Sequence, residues 1–313
     1  MIVALLLYLV TPVIEIQPEF VLAHPPLSEV SGMVASRQYA GVSWVHNDSG
    51  DVARIFAVRA DGTVVMPPGQ RDRYEVAPAL RWAPGVELPR WLAKRDPWPG
   101  VSILDARNVD WEDIALYDGK LYIGDVGNNG NSRTDLTVYV VPEPNPYQTT
   151  QAAATLAQRL RYPDQKEFPG TVRRFDCEAL FVWRSKLYFI TKWRADNSSV
   201  LPIKGAALYS LRLPLAGGTE PAVLDRVSVH ADFPGWVTAA DLSPDGHRLS
   251  VLSLYPSPAL LILSEPESGE DWLAAPRRAI SIPSLKQAES VTWLDEKTVL
   301  IVNEQRELFR VRL

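Results

Sequence analysis

Short apolar runs and polar turns alternate along most of this chain, and the alternation recurs. Five times an acidic residue opens a short apolar run, a turn follows, and a second apolar run ends on polar residues. The paired runs are 29–33 with 43–48, 112–116 with 121–125, 178–182 with 187–192, 241–243 with 249–253, and 289–293 with 299–304. A third apolar run follows each pair, at 54–58, 137–141, 207–211, 260–263 and 308–311. Runs of this length, rich in β-branched and aromatic residues and bounded by turn residues, predict β-strands. Residues 151–160 alone have helical composition, with strand the alternative for their second half.

The opening acids Glu29, Glu112, Glu178, Asp241 and Glu289 stand 83, 66, 63 and 48 residues apart. The shortest interval matches one four-stranded propeller blade, whose period is about 40–50 residues, and the longer ones accommodate loop insertions. Candidate fourth strands lie at 222–229 and 278–282. The chain is therefore expected to be all-β, a propeller of five four-stranded blades. Six blades is the alternative if residues 63–108, which carry no repeat signal, hide a degenerate one; a β-sandwich is the competing fold. The fifth repeat stops at Leu313 after three strands. Residues 13–23, which begin with alternating apolar and polar positions, can supply the missing outer strand and close the ring.

Composition narrows the function. With 32 Lys+Arg against 37 Asp+Glu in 313 residues, the net charge of −5 leaves no basic excess to meet nucleic-acid phosphates. The single Cys177 cannot form an internal disulfide, and no Cys/His cluster has zinc-ligand spacing. Residues 2–10 are almost wholly apolar, long enough for a signal-peptide core but not for the roughly 20 residues of a membrane span. No Lys or Arg precedes them. The expected organisation is a weak signal-like segment at 1–12 and one propeller domain at 13–313 with an insertion at about 63–108. A monomer is expected, either extracytoplasmic or cytoplasmic. The insert at 81–100 holds Trp82, Trp91 and Trp98 with Arg90, Lys94 and Arg95. It is read as a lid, a partner-docking surface, an interfacial anchor or a packed loop.

In a propeller the first strand of each blade lines the channel, and the second returns to the face where the first began. The five opening acids should then ring one mouth, joined by Asn47, Asp48, Asp125, Lys192, Asn303 and Glu304 from the second-strand ends. Carboxylates so close repel one another, and a hard cation such as calcium would compensate them. Glu29, Glu112, Glu178, Asp241, Glu289 and Glu304 are the candidate metal ligands; Asn47, Asn128, Lys192 and Asn303 are candidate ligand-binding residues. His46 with Asp48 or Asp125 is the candidate acid–base set. Equally, acids at strand starts fasten neighbouring blades through backbone N–H groups, and the Asn/Asp/Gly clusters at 44–50 and 124–130 build tight turns.

Ser31-Gly32, WVHNDSG at 44–50, DWEDIA at 110–115, YIGDVGNN at 122–129, VYVVPEP at 138–144, EAL at 178–180, LYFITK at 187–192 and DLSPDG at 241–246 resemble a group of bacterial propeller proteins. That group is secreted or membrane-associated and has no established activity. An acid opening each inner strand is more distantly similar to esterase-like phytases and calcium-dependent lactonases, which have six blades. The resemblance implies a cell-envelope or secreted propeller that binds a polar ligand, a cation or a protein partner at an acidic mouth. The alternative is a calcium-dependent hydrolase of a small ester, phosphate ester or sugar. No G-x-S-x-G elbow, H-E-x-x-H helix or phosphate-binding loop is present.

Overall fold

The computed structural model describes residues 13–74, 96–196 and 198–313, and shows a five-bladed β-propeller. From the channel outward, blade 1 consists of Val30–Ala35, Val42–Asn47, Arg54–Arg59 and Val101–Leu104. Blade 2 is Trp111–Tyr117, Lys120–Asp125, Thr137–Pro142 and Leu156–Arg161; blade 3 is Asp176–Trp183, Lys186–Lys192, Ala206–Arg212 and Asp225–His230. Blade 4 is Gly235–Leu242, Arg248–Tyr255, Ala259–Ser264 and Arg277–Ser281. Blade 5 takes Ala288–Asp295, Thr298–Asn303 and Glu307–Arg312 from the C-terminus and Phe20–Val21 from the N-terminus.

The turn chemistry explains the hairpins. Asp118 and Gly119 both take positive φ between the paired residues Tyr117 and Lys120, the backbone twist that a two-residue hairpin requires. Between blades, Trp44, Trp111, Trp293, Phe181 and Phe309 are completely buried. Truncating a side chain of this size in a core costs about 3–5 kcal/mol.

Ring closure follows expectation. Phe20 pairs with Leu308 and Val21 with Glu307, and Leu22 is fully buried. Further upstream, Ile14 N–H donates to the Ser281 carbonyl at 2.8 Å, so the same segment also touches the outer edge of blade 4. Strands are also shared between blades. Gln151–Ala153 runs parallel to Val101–Leu104 at the edge of blade 1. Gly218–Val223, inserted between the third and fourth strands of blade 3, runs parallel to Leu156–Arg161 of blade 2.

Two expectations change, and one alternative falls away. The segment at 151–160 is extended rather than helical, because its residues complete sheet edges. The fourth strand of blade 3 begins at Asp225, since residues up to Val223 belong to blade 2. Among the described residues no sixth blade forms, in line with the five-blade reading: Val64–Val65 and Val101–Leu104 both pair with Arg54–Arg59 of blade 1. Residues 1–12 and the insert's Trp82, Arg90, Trp91, Lys94 and Arg95 lie outside the described residues. Trp98 is buried, and its carbonyl meets His24 Nε2 at 2.7 Å. Among the described residues, no helix is long and apolar enough to cross a membrane.

Candidate functional site: an acidic channel mouth

Each first strand carries a β-bulge at the same place. The pairing skips Ser31, Glu112, Glu178, Thr238 and Glu289, which are therefore structurally equivalent. A bulge breaks the alternation of the strand and re-aims the extra side chain. Two residues before it stand Glu29, Asp110, Asp176, Trp236 and Gln287.

Three of the five opening acids, Glu112, Glu178 and Glu289, thus share one register. Glu29 does not; it is two residues outward of the bulge position, which in blade 1 is Ser31. Asp241 is displaced further, lying three residues beyond Thr238. Its carboxylate accepts Thr292 Oγ1 at 2.7 Å and the Trp293 N–H at 2.8 Å, so it fastens blade 4 to blade 5 near the opposite mouth. That other end opens into a cavity of about 570 Å³ lined by Arg37, Glu143, Trp183, Arg184 and Asp241.

The second-strand residues divide by the same parity argument. Asn47, Asp125 and Asn303 oppose Val30, Trp111 and Ala288, the residues just before each bulge, and their side chains brace backbone. Asn47 Oδ1 accepts Glu29 N–H at 3.4 Å, Asp125 Oδ1 accepts Asp110 N–H at 2.9 Å, and Asn303 Oδ1 accepts Glu307 N–H at 2.9 Å. One residue further on, alternation turns Asp48, Lys192 and Glu304 toward the mouth. Asp48 N–H donates to the Glu29 carbonyl and Glu304 N–H to that of Gln287. Gly127 N–H makes the corresponding bond to Asp110. A Cβ on Gly127 would stand 2.2 Å from Glu112 Oε1 and 2.4 Å from Asp110 Oδ2, so glycine leaves these carboxylates their space.

Two groups of acids with different compensation result. Glu112, Asp176 and Glu178 bring carboxylate oxygens within 4.8 Å of one another, and so do Asp48, Asp110 and Glu112. Asp176 and Glu178 have cations: Lys192 Nζ is 2.5 Å from Glu178 Oε2, and Arg194 pairs with Asp176 and lies 3.6 Å from Glu178. Burial would raise Asp176, but Arg194 and Lys192 outweigh it and hold the carboxyl below its usual value. Burial likewise opposes the charge on Lys192, yet Glu178, Glu289 and Asp176 keep it above the ordinary lysine range.

Asp48, Asp110 and Glu112 form no such ion pair among the described residues. Among these residues, the Glu112 carboxylate accepts only Ser31 Oγ at 3.3 Å, Asp48 accepts only its neighbour Ser49 N–H, and no hydrogen bond reaches the Asp110 carboxylate. Burial, then the charges of Asp48 and Asp176, push Asp110 up to about 7. Burial and Glu178 drive Glu112 well above its usual range, and burial raises Asp48. Glu289 rises to about 7, through burial and then Glu304 and Asp48 against the pull of Lys192.

His46 stands apart from this chemistry. Its ring is fully buried, with Nδ1 3.0 Å from the Asn47 carbonyl and its edge against Trp111. A Cβ on Gly32 would lie 2.2 Å from Nε2, so that nitrogen faces the backbone of blade 1 and burial lowers the ring to about 4. Neither Asp48 nor Asp125 hydrogen-bonds it; Asp125 is instead paired with Arg133 at 2.9 Å. Asn128 is a loop brace, its N–H on Asp176 Oδ1 at 2.6 Å and its Oδ1 accepting Arg133 N–H at 3.0 Å. Cys177 is buried, and burial pushes its thiol up.

Asp110, Asp176, Arg194 and Trp236 escaped the sequence reading. The first two were signalled by the repeated acid-x-acid spacing 110/112 and 176/178. Trp236 stands two residues before the bulge of blade 4 at φ 51, a conformation rare for a bulky residue, with its ring 5.1 Å from Lys192 Nζ and 5.7 Å from the Arg194 guanidinium. No single-residue signal marks it.

No family model matches the chain, and no curated protein matches it. Solved structures similar to it include the PQQ-bound aldose sugar dehydrogenase of Streptomyces coelicolor, at 12% identity over 95% of this chain and 97% of that one, TM-score 0.49. A gluconolactonase of Xanthomonas campestris aligns at 14% identity over 94% of this chain and 77% of its own, TM-score 0.42. Glutaminyl cyclase of Myxococcus xanthus aligns at 12% identity over 95% and 93%, TM-score 0.41.

Proposed function

We propose that the acidic mouth binds a hard divalent cation, calcium, through Asp48, Asp110 and Glu112, and with it a small polar ligand. The observation carrying this reading is the convergence of three carboxylates within 4.8 Å with no cation of the described residues paired to them, beside two that have one. Oxygens at that spacing can share an ion at the 2.3–2.6 Å of calcium coordination, and an all-carboxylate set suits calcium rather than zinc. Lys192 and Arg194, tied to Glu178 and Asp176, leave the first group with unbalanced charge that an ion would neutralise. A cell-envelope or secreted location, expected from the family resemblance and the apolar residues 2–10, fits the weak calcium sites of extracellular modules. The second reading is hydrolysis of a small ester, phosphate ester or sugar at the same mouth. It is favoured by Glu112, whose carboxyl is driven well above its usual range by burial and Glu178 and so can hold a proton beside Asp48 and Asp110.

Calorimetric titration with Ca²⁺ and Mg²⁺, and melting curves with and without EDTA, test the proposal on wild type, Glu112→Gln and Gly127→Ala. Calcium should bind wild type and raise its Tm. Glu112→Gln should weaken binding at least tenfold while leaving the metal-free Tm unchanged or higher, because it removes like-charge repulsion. Gly127→Ala should also weaken it, by displacing both carboxylates. A flat calcium response in wild type, or unaltered affinity in Glu112→Gln, contradicts the reading.

A further inference from the structure

We propose a second binding site, in the cavity at the mouth opposite the acidic one, for a short peptide with free ammonium and carboxylate ends. The cavity of about 570 Å³ is the size of small-molecule pockets, which run from about 300 to 1,000 Å³. Blades 1 to 4 all contribute to its wall, which exposes polar and apolar surface in comparable amounts. Leu116, Phe181 and Leu242 are among the apolar residues of that wall.

Half of the charged side chains in the wall are already satisfied. Arg184 pairs with Glu265 at 2.8 Å and lies over the Trp183 ring at 4.1 Å. Asp241 is engaged by Thr292 and Trp293, and Asp245 accepts Ser243 Oγ and the His247 N–H. Arg37, Asp118 and Glu143 are not satisfied in this way. Arg37 Nη1 donates to the Trp293 carbonyl at 3.2 Å, and Asp241 accepts the N–H of the same residue, so the guanidinium is tied beside Asp241 at this mouth. Its charge there opposes the rise that burial gives the Asp241 carboxyl. Among the described residues Arg37 forms no ion pair, and its Nε and Nη2 donate to no atom. On blade 2, Glu143 Oε1 accepts Trp44 Nε1 at 3.0 Å, while Oε2 accepts no hydrogen bond from the described residues. The Glu143 N–H donates to the Gly119 carbonyl at 2.9 Å, which sets it beside Asp118, an exposed turn residue whose carboxylate likewise accepts none. The wall therefore carries an uncompensated cation on blade 1 and two uncompensated carboxylates on blade 2. A guanidinium matches a carboxylate in a planar, charge-assisted pair, and carboxylates take an ammonium in the same way. A ligand with only one of these charges meets like charge on the other side of the set. The arrangement selects a molecule that carries both, with a nonpolar side chain for the apolar wall.

This site shares no residue with Asp48, Asp110 and Glu112, and its test uses metal-free protein, so the two proposals stand or fall independently. The probes are the dipeptide glycylphenylalanine, its N-acetyl form without the ammonium, and its C-terminal amide without the carboxylate, titrated calorimetrically. The free dipeptide should bind wild type saturably and at least tenfold more tightly than either blocked form. Glu143→Gln, which keeps an acceptor for the Trp44 N–H, should lose at least tenfold in dipeptide affinity at unchanged Tm. Arg37→Gln should lose as much, and should no longer distinguish the free dipeptide from its amide. Asp118→Asn, in an exposed turn where asparagine tolerates the positive φ, should weaken binding severalfold and serves if Arg37→Gln does not fold. Absence of saturable dipeptide binding, or equal binding of the acetylated form (an anion site only) or of the amide (a cation site only), overturns the proposal. So does full affinity in the variants.

Discussion

Glu289 shows how a single carboxyl at the mouth reports on the fold. Its native value of about 7 lies above the usual glutamate value near 4.3 of an unfolded chain. The native state therefore binds a proton between pH 7 and roughly 4 that the unfolded state has released, so this group stabilises at acid pH and the stabilisation is lost as pH rises through 7. Asp241, raised to about 6 chiefly by burial, acts in the same sense. His46 acts oppositely: held at about 4, it is neutral in the fold, and its contribution is present above about 6.5 and lost as pH falls toward 4. Between pH 8 and 6.5 the carboxyls dominate, so metal-free protein should gain Tm on acidification. Glu289→Gln should shrink that gain, measured by calorimetry across the range; an unchanged profile would contradict the burial of a charged group there.

At the scale of elements, most strands were legible because alternation and turn residues agree, as at Asp118-Gly119 and in the Ser243–Gly246 turn, where Ser243 Oγ meets Asp245 Oδ1 at 2.5 Å. What the sequence did not yield was register within the strand. Aligning the blades on acids placed Glu29, Glu112 and Asp241 together, whereas the bulge aligns Ser31, Glu112 and Thr238. A one-residue bulge leaves no compositional mark, and only the small or short residue after it, Gly32, Ala179, Ala239 or Ser290, hints at the place. The same parity separates Asp48 from Asn47, which sequence reading grouped. Strand sharing was likewise invisible, since Gly218–Val223 pairs with a strand that stands, as with Gln158 and Gly218, some 60 residues upstream. The closing strand was legible from arithmetic: three strands at the C-terminus need a fourth. Leu22→Ala should cost about 2–5 kcal/mol, because it opens a cavity under that strand. Urea unfolding measures it, and a loss below about 1 kcal/mol would mean the strand adds little to closure.

Across the whole molecule, a five-bladed ring brings its inner strands close enough for one side chain to reach three blades. Asp113 of blade 2 is fully buried and accepts the Leu180 N–H of blade 3 at 2.8 Å and the Ala240 N–H of blade 4 at 3.4 Å, besides its own neighbour Ile114. Burial raises its carboxyl well above the usual value, the three N–H bonds opposing. Asp113→Ala strands the Leu180 donor at a cost of about 1–3 kcal/mol, so chemical unfolding should shift by that amount. Asp113→Asn keeps an acceptor and should recover part of it. Equal stability in Asp113→Ala and wild type would contradict the clamp.

The same narrowness forces carboxylates of neighbouring blades together at the mouth, and it underlies the central claim that Asp48, Asp110 and Glu112 hold calcium. The most direct measurement is a crystal structure grown in calcium, with anomalous difference density at the channel mouth. One peak should lie 2.3–2.6 Å from oxygens of Asp48, Asp110 and Glu112. A mouth without a peak at saturating calcium, or a peak held elsewhere with these three carboxylates uninvolved, would contradict it.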